Sequence, residues 1–153
     1  MPQIMIKDKE FLFWPIFVRL IEWFWVTNVS IRKYKSNSRS SYVINNKIWL
    51  FIKTSTSRNG PRNFTFMREH QEEIQELKNS LENVFLILIC NEDWIVSLSF
   101  DDVKKILDYD HIDVEWIRVQ RKKWEKYTVY WRDWELKRKI WDNEFPKKIL
   151  DLI

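Results

Sequence analysis

Apolar positions along this chain recur with two periods, and the changes between them mark the elements. Ile16, Leu20, Ile21 and Phe24 recur at helical spacing. They predict a short helix from Pro15, a residue suited to the first helical turn. Val29 to Lys35 reads as a strand rich in β-branched and basic residues. Tyr42–Ile44 and Lys47–Ser55 read as a hairpin about Asn45-Asn46, a pair that tolerates a left-handed turn. In its second arm Ile48, Leu50 and Ile52 face one way, and Trp49, Phe51 and Lys53 the other. Phe64–Phe66 is a further short strand. Arg68 to Glu82 is the clearest helix, with Ile74, Leu77 and Leu81 on its apolar face. Glu69, Glu72, Glu73 and Glu76 crowd its N-terminal half, where the helix dipole favours negative charge.

Val84 to Cys90 is a continuous apolar run of strand length, the pattern of a central strand buried on both faces. Ile95–Ser99 returns as a strand, and Ser99 with Asp102 resembles a capping box for a helix to about Leu107. Val114 to Ile140 predicts a three-stranded meander broken near Lys123-Trp124 and Asp133-Trp134. A Pro146-initiated apolar turn closes the chain. The expected fold is α+β (mixed α/β): helix, three-stranded sheet, helix, central strand, plus a C-terminal antiparallel β-meander. A single domain is expected over residues 1–153, with an α/β core at 15–110 and a basic meander appended at 112–141.

With 45% hydrophobic and 31% charged residues, the composition is that of a globular protein. The most apolar stretch, Phe11–Val26, contains Arg19 and Glu22 and is too short and too charged to span a membrane. It reads as a core helix, the other reading being a helix lying in a membrane interface. Lys7, Asp8, Lys9 and Glu10 do not suit a secretory leader. The one cysteine, Cys90, lies in the apolar run as a buried thiol. A cytoplasmic protein is expected.

Ten tryptophans stand beside one glycine (Gly60), and alanine is absent. Trp94 and Trp134 follow Asp where Asp-Gly turns are expected, Trp25 follows an apolar helical run where a C-cap glycine is usual, and Trp14 precedes Pro15 as an N-cap. An indole suits none of these places. Some bacterial lineages read UGA as glycine, and translating such a gene with the tryptophan table would yield this pattern. The candidates are Trp14, Trp25, Trp49, Trp94, Trp124, Trp131, Trp134 and Trp141, whereas Trp23 and Trp116 read as core. The other reading is AT bias with genuine tryptophans.

Charge changes the picture most. Residues 23–68 hold nine basic residues and no acid, residues 69–115 hold thirteen acids and three bases, and residues 116–153 hold eleven bases and six acids. An unopposed basic block creates a positive field whose commonest partner is a phosphate backbone. Lys33, Lys35, Arg39, Lys53, Arg58 and Arg62 are the expected nucleic-acid contacts. The competing reading pairs the acidic helix with the basic sheet, within one chain or between two copies as a homo-oligomer.

His70 and His111 are too far apart in sequence for a zinc site, and His70 is expected on the flank of its helix. No phosphate loop or nucleophile elbow is present. The order helix, three strands, helix, strand over Pro15–Cys90 resembles the core of the PD-(D/E)XK nuclease superfamily. The resemblance implies an acid near the second strand and an acid-x-Lys on the third, holding magnesium. Here Lys53 matches the lysine in Phe51-Ile52-Lys53, but Phe51 takes the acid position and Asn45 or Asn46 the second-strand position. Glu22 fits the first-helix acid, and Glu69, Glu72 or Glu73 are candidates for a migrated carboxylate. With no carboxylate between Glu22 and Glu69, the expectation is binding without cutting, with no cofactor and magnesium only if the chain is a nuclease.

Overall fold

A computed structural model describes residues 8–23, 29–33, 41–55, 61–80, 83–91, 94–106, 115–122, 124–131, 134–141 and 143–153. The order is α1 (Asp8–Trp23), β1 (Ile31–Lys33), β2 (Ser41–Ile44), β3 (Ile48–Ser55), β4 (Arg62–Phe66), α2 (Arg68–Ser80), β5 (Asn83–Cys90) and β6 (Trp94–Ser99). There follow α3 (Phe100–Ile106), β7 (Glu115–Gln120), β8 (Thr128–Trp131), β9 (Trp134–Glu135) and α4 (Glu144–Leu150). The fold is mixed α+β.

One sheet runs β1-β2-β3-β5-β6. Asn45 and Asn46 take positive φ of 51° and 56°, the twist that a tight hairpin between β2 and β3 demands. β5 lies parallel to β3, so the chain must cross over between them, and it does so through β4 and α2. β5 is central and buried on both faces, as its unbroken apolar run predicts. Ile48, Leu50, Ile52, Phe85, Ile87 and Ile89 face α1 and α4, where they meet Phe13, Ile16, Leu20, Phe145 and Ile149. Trp49, Phe51, Leu86 and Leu88 face the other way, toward Ile74 of α2, Val103 of α3 and the second sheet.

That second sheet runs β4-β7-β8-β9 and is antiparallel throughout. The meander expected as an appendage is therefore bonded through β7 to β4. Its inward residues Ile117, Val119, Tyr127 and Val129 share a core with the first sheet. Among the described residues no helix is long and apolar enough to cross a membrane.

Local readings fared unevenly. The capping box forms: the Ser99 N–H donates to Asp102, and the Asp102 N–H donates to Ser99 Oγ. Helix α1, however, starts at Asp8, with Pro15 inside it rather than at its start. The apolar stripe Phe13, Ile16 and Leu20 runs on across the proline, and its burial outweighs the lost hydrogen bond. Trp14 is thus a helical residue, 66% exposed, and not a cap. Trp94 and Trp134 are not turn residues either. They open β6 and β9, paired with Cys90 and Trp131, while Asp93 and Asp133 lie outside the described residues. Asn91, with φ 49°, takes the left-handed position near Trp94. Trp49 is buried in β3. Trp131 ends β8 and Trp141 precedes α4, half exposed, with Lys126 Nζ 3.7 Å from its ring centre. Trp25 and the Trp23 side chain lie outside the described residues.

Among the described tryptophans Trp124 alone has positive φ, at 70°. The left-handed region costs an L-residue roughly 1–2 kcal/mol, and glycine nothing. Because Trp124 is 89% exposed, removing its ring forfeits little burial. Trp124→Gly is expected to stabilise the fold by about 1 kcal/mol, a rise in melting temperature of roughly 2–4 °C by calorimetry. A fall would show that the indole's surface contacts outweigh the backbone strain.

Candidate nucleic-acid interface

Of the expected phosphate contacts, the three that are described, Lys33, Lys53 and Arg62, do not form one patch. Lys33 is exposed on β1, the edge strand of the five-stranded sheet, beside Arg32, whose Nε donates to Asn46 Oδ1 at 2.9 Å. Lys35, Arg39 and Arg58 lie outside the described residues. Arg62 is only 7% exposed, because alternation along β4 turns Arg62, Phe64 and Phe66 inward and Asn63 and Thr65 outward. It is therefore not placed to meet a ligand from solvent.

Lys53 is half-buried at the far end of β3, where α2 crosses. Its Nζ lies 3.3 Å from Nδ1 of His70 and 5.4 Å from the Phe66 ring centre. The same Nδ1 accepts the Met67 N–H at 3.2 Å, which leaves the ring proton on Nε2. His70 thus faces the sheet, with Phe51 5.9 Å away, rather than lying on the helix flank. One turn along, buried Glu73 accepts a hydrogen bond from Ser41 Oγ at 2.8 Å.

The nuclease-like positions separate in space. Asn45 and Asn46 sit at the hairpin, about 20 Å along β3 from Lys53 at the rise of an extended strand. Phe51 is fully buried. Glu22 is exposed on α1, which packs on the opposite face of the sheet. Glu69 is exposed, and Glu72 is paired with Arg68. Of the acids considered for a migrated role, Glu73 alone is buried near this end of β3. Among the described residues no group of three or more His, Cys, Asp or Glu side chains stands close enough to hold a metal ion.

Part of the charge segregation is consumed inside the molecule. Arg138 makes a two-pronged contact with Asp102, Nε to Oδ1 at 3.1 Å and a terminal nitrogen to Oδ2 at 2.6 Å. Its other terminal nitrogen reaches Glu144 Oε1 at 2.7 Å. Lys148 also pairs with Glu144, and the Trp141 N–H donates to Glu144 Oε2. Burial pushes the Asp102 carboxyl upward, but the hydrogen bonds and charge of Arg138, with those of Ser99, outweigh it and hold the group below its ordinary value. Burial acts likewise on Glu144, and Lys148, Arg138 and the Trp141 amide outweigh it. The Asp102 hydrogen bond, burial opposing, leads the contacts that raise Arg138 and keep it charged.

The outward face of the four-stranded sheet collects a different set. Inward Ile117 and Val119 leave Trp116, Arg118 and Gln120 outward on β7. The register lines up Asn63, Arg118, Tyr130 and Glu135 in one row across all four strands, with Thr65 beside Trp116. Arg118 Nε donates to Asn63 Oδ1 at 3.0 Å, and its guanidinium carbon lies 5.2 Å from the Trp116 ring centre. Arg118 is exposed; Trp116 and Tyr130 are half-buried. Lys122, Lys137 and Lys139 are exposed on the connections and flank of this sheet, against exposed Glu125 and Glu135.

No family model, curated protein or solved structure matches this chain. Function must therefore be read from the geometry. The reading of Trp116 as core agrees with the packing of its half-buried ring against the inner cluster, but it left Arg118 unjoined to any partner. The alternation Trp116-Ile117-Arg118-Val119-Gln120 already carried the signal, since a buried Ile/Val face turns the other three outward.

Proposed function

We propose that this chain binds nucleic acid through the outward face of the four-stranded sheet, on a nuclease-like scaffold that does not cut. The supporting observation is Arg118, held at Nε by Asn63 and lying 5.2 Å from the Trp116 ring centre, while its two terminal nitrogens have no hydrogen-bond partner among the described residues. A guanidinium fixed in this way is prepared for phosphate or base oxygens. The exposed lysines around it supply a field of the right sign.

The order of three antiparallel strands, a crossover through α2 and a parallel fourth strand supports the nuclease-like layout. The non-catalytic part of the reading draws on Phe51 at the acid position and on the separation of Asn45 and Asn46 from Lys53. The alternative of self-association would pair the acidic helix with the basic sheet; Arg138 with Asp102 is a separate pair, made inside one chain by the C-terminal basic block.

In a titration of labelled oligonucleotide, affinity is expected to fall linearly with salt on logarithmic axes, by roughly tenfold or more from about 50 to about 200 mM. With magnesium or manganese added, the oligonucleotide should stay intact. No binding at low salt would end the proposal, and cleavage lost in Lys53→Ala would overturn its non-catalytic part.

A further inference from the structure

We infer that the ligand of this face is a single strand, its bases stacked on Tyr130 and Trp116 while Arg118 holds the backbone between them. The inference rests on the nucleic-acid reading and goes beyond it by naming the strandedness and the contact residues. A duplex presents phosphates and groove edges to a protein, but its ring faces are hidden in the stack. A single strand offers ring faces, and aromatic side chains on a sheet are suited to take them. This face is the outward side of a four-stranded antiparallel sheet. It carries two half-buried aromatic side chains on adjacent strands, Trp116 on β7, which also packs against the core, and Tyr130 on β8, with Arg118 next in line to Trp116 and directly opposite Tyr130. Neighbouring strands are separated by about 4.8 Å, and alternate residues of one strand by roughly 7 Å. The two rings are therefore spaced to take neighbouring or next-neighbouring bases of an extended strand. Asn63, Thr65 and Gln120 line the same face and offer hydrogen bonds to base edges without demanding one sequence. Glu135, at the end of the Arg118 row, repels phosphate and so directs the backbone toward β4 and the Lys122 end of the sheet.

The test is a fluorescence-anisotropy titration of the full chain with a uridine or thymidine 20-mer and with a duplex of equal length, at about 50 mM salt. The single strand should bind about tenfold or more tighter than the duplex. Tyr130→Leu should weaken single-strand binding roughly tenfold with the salt slope unchanged, since stacking carries no counterion release. Tyr130→Phe, which keeps the ring, should bind as the parent does and so separates stacking from misfolding. Arg118→Gln should lower the salt slope by about one. Equal affinity for both forms, or an unaffected Tyr130→Leu protein, would overturn the single-strand inference while the broader reading stands. Failure to bind either form at low salt would remove both.

Discussion

Phe51→Ala is expected to lower the unfolding free energy by about 3–5 kcal/mol, the usual cost of emptying a buried aromatic site. Phe51 is fully buried in β3, with Phe66 6.5 Å away ring to ring and His70 at 5.9 Å. It packs where α2, the four-stranded sheet and the five-stranded sheet meet, so truncation leaves a cavity that no single element can close. Phe51→Asp would recreate an acid-x-Lys spacing, yet it should destabilise further, since a carboxylate at this depth has no solvent to stabilise it. Urea unfolding of both variants checks the point. An aspartate variant as stable as the parent would mean that the position is wet and that the site is nearer to a nuclease centre than its packing implies.

Arg138→Met should cost about 3 kcal/mol, near the lower end for breaking a buried ion pair, because the Arg138 side chain is itself 38% exposed. The loss leaves Asp102 without its bidentate partner and Glu144 with Lys148 and the Trp141 N–H. It unties α3, the segment after β9 and α4 from one another. The same network sets an acid limit. Asp102 and Glu144 titrate below their ordinary values in the folded chain, so their contribution is complete above the ordinary carboxylate range and is lost as pH falls through their lowered folded values. Unfolding free energy should therefore decline on acidification below about pH 5 in the parent, and decline less steeply in Arg138→Met. Equal slopes would show that other carboxylates govern acid stability.

Much of the local structure was legible in the sequence. The unbroken run at β5, the Asn45-Asn46 hairpin and the Ser99–Asp102 capping box each rest on neighbouring residues, and each forms. The turn assignments at Trp94 and Trp134 failed for a related reason. They placed Trp94 and Trp134 in turns from the expected chemistry of Asp-Gly, whereas both residues are already strand residues, paired with Cys90 and Trp131. The Arg118 face was half legible: alternation told which side chains share a surface, and nothing nearby told that Asn63, more than fifty residues upstream, would lie beside Arg118.

By itself the sequence determined the types of element, the hairpin geometry, the residues sharing each face and the uneven spread of charge, since these depend on backbone preferences and on periods of 2 and 3.6. Only the tertiary structure decided that β4 leaves the first sheet to pair with β7, that Arg138 is consumed by Asp102 and Glu144, and that Arg118 stands between Trp116 and Tyr130. The physical reason is that a period names the face a residue belongs to, while its partner across that face is chosen by the burial and pairing of segments far away along the chain.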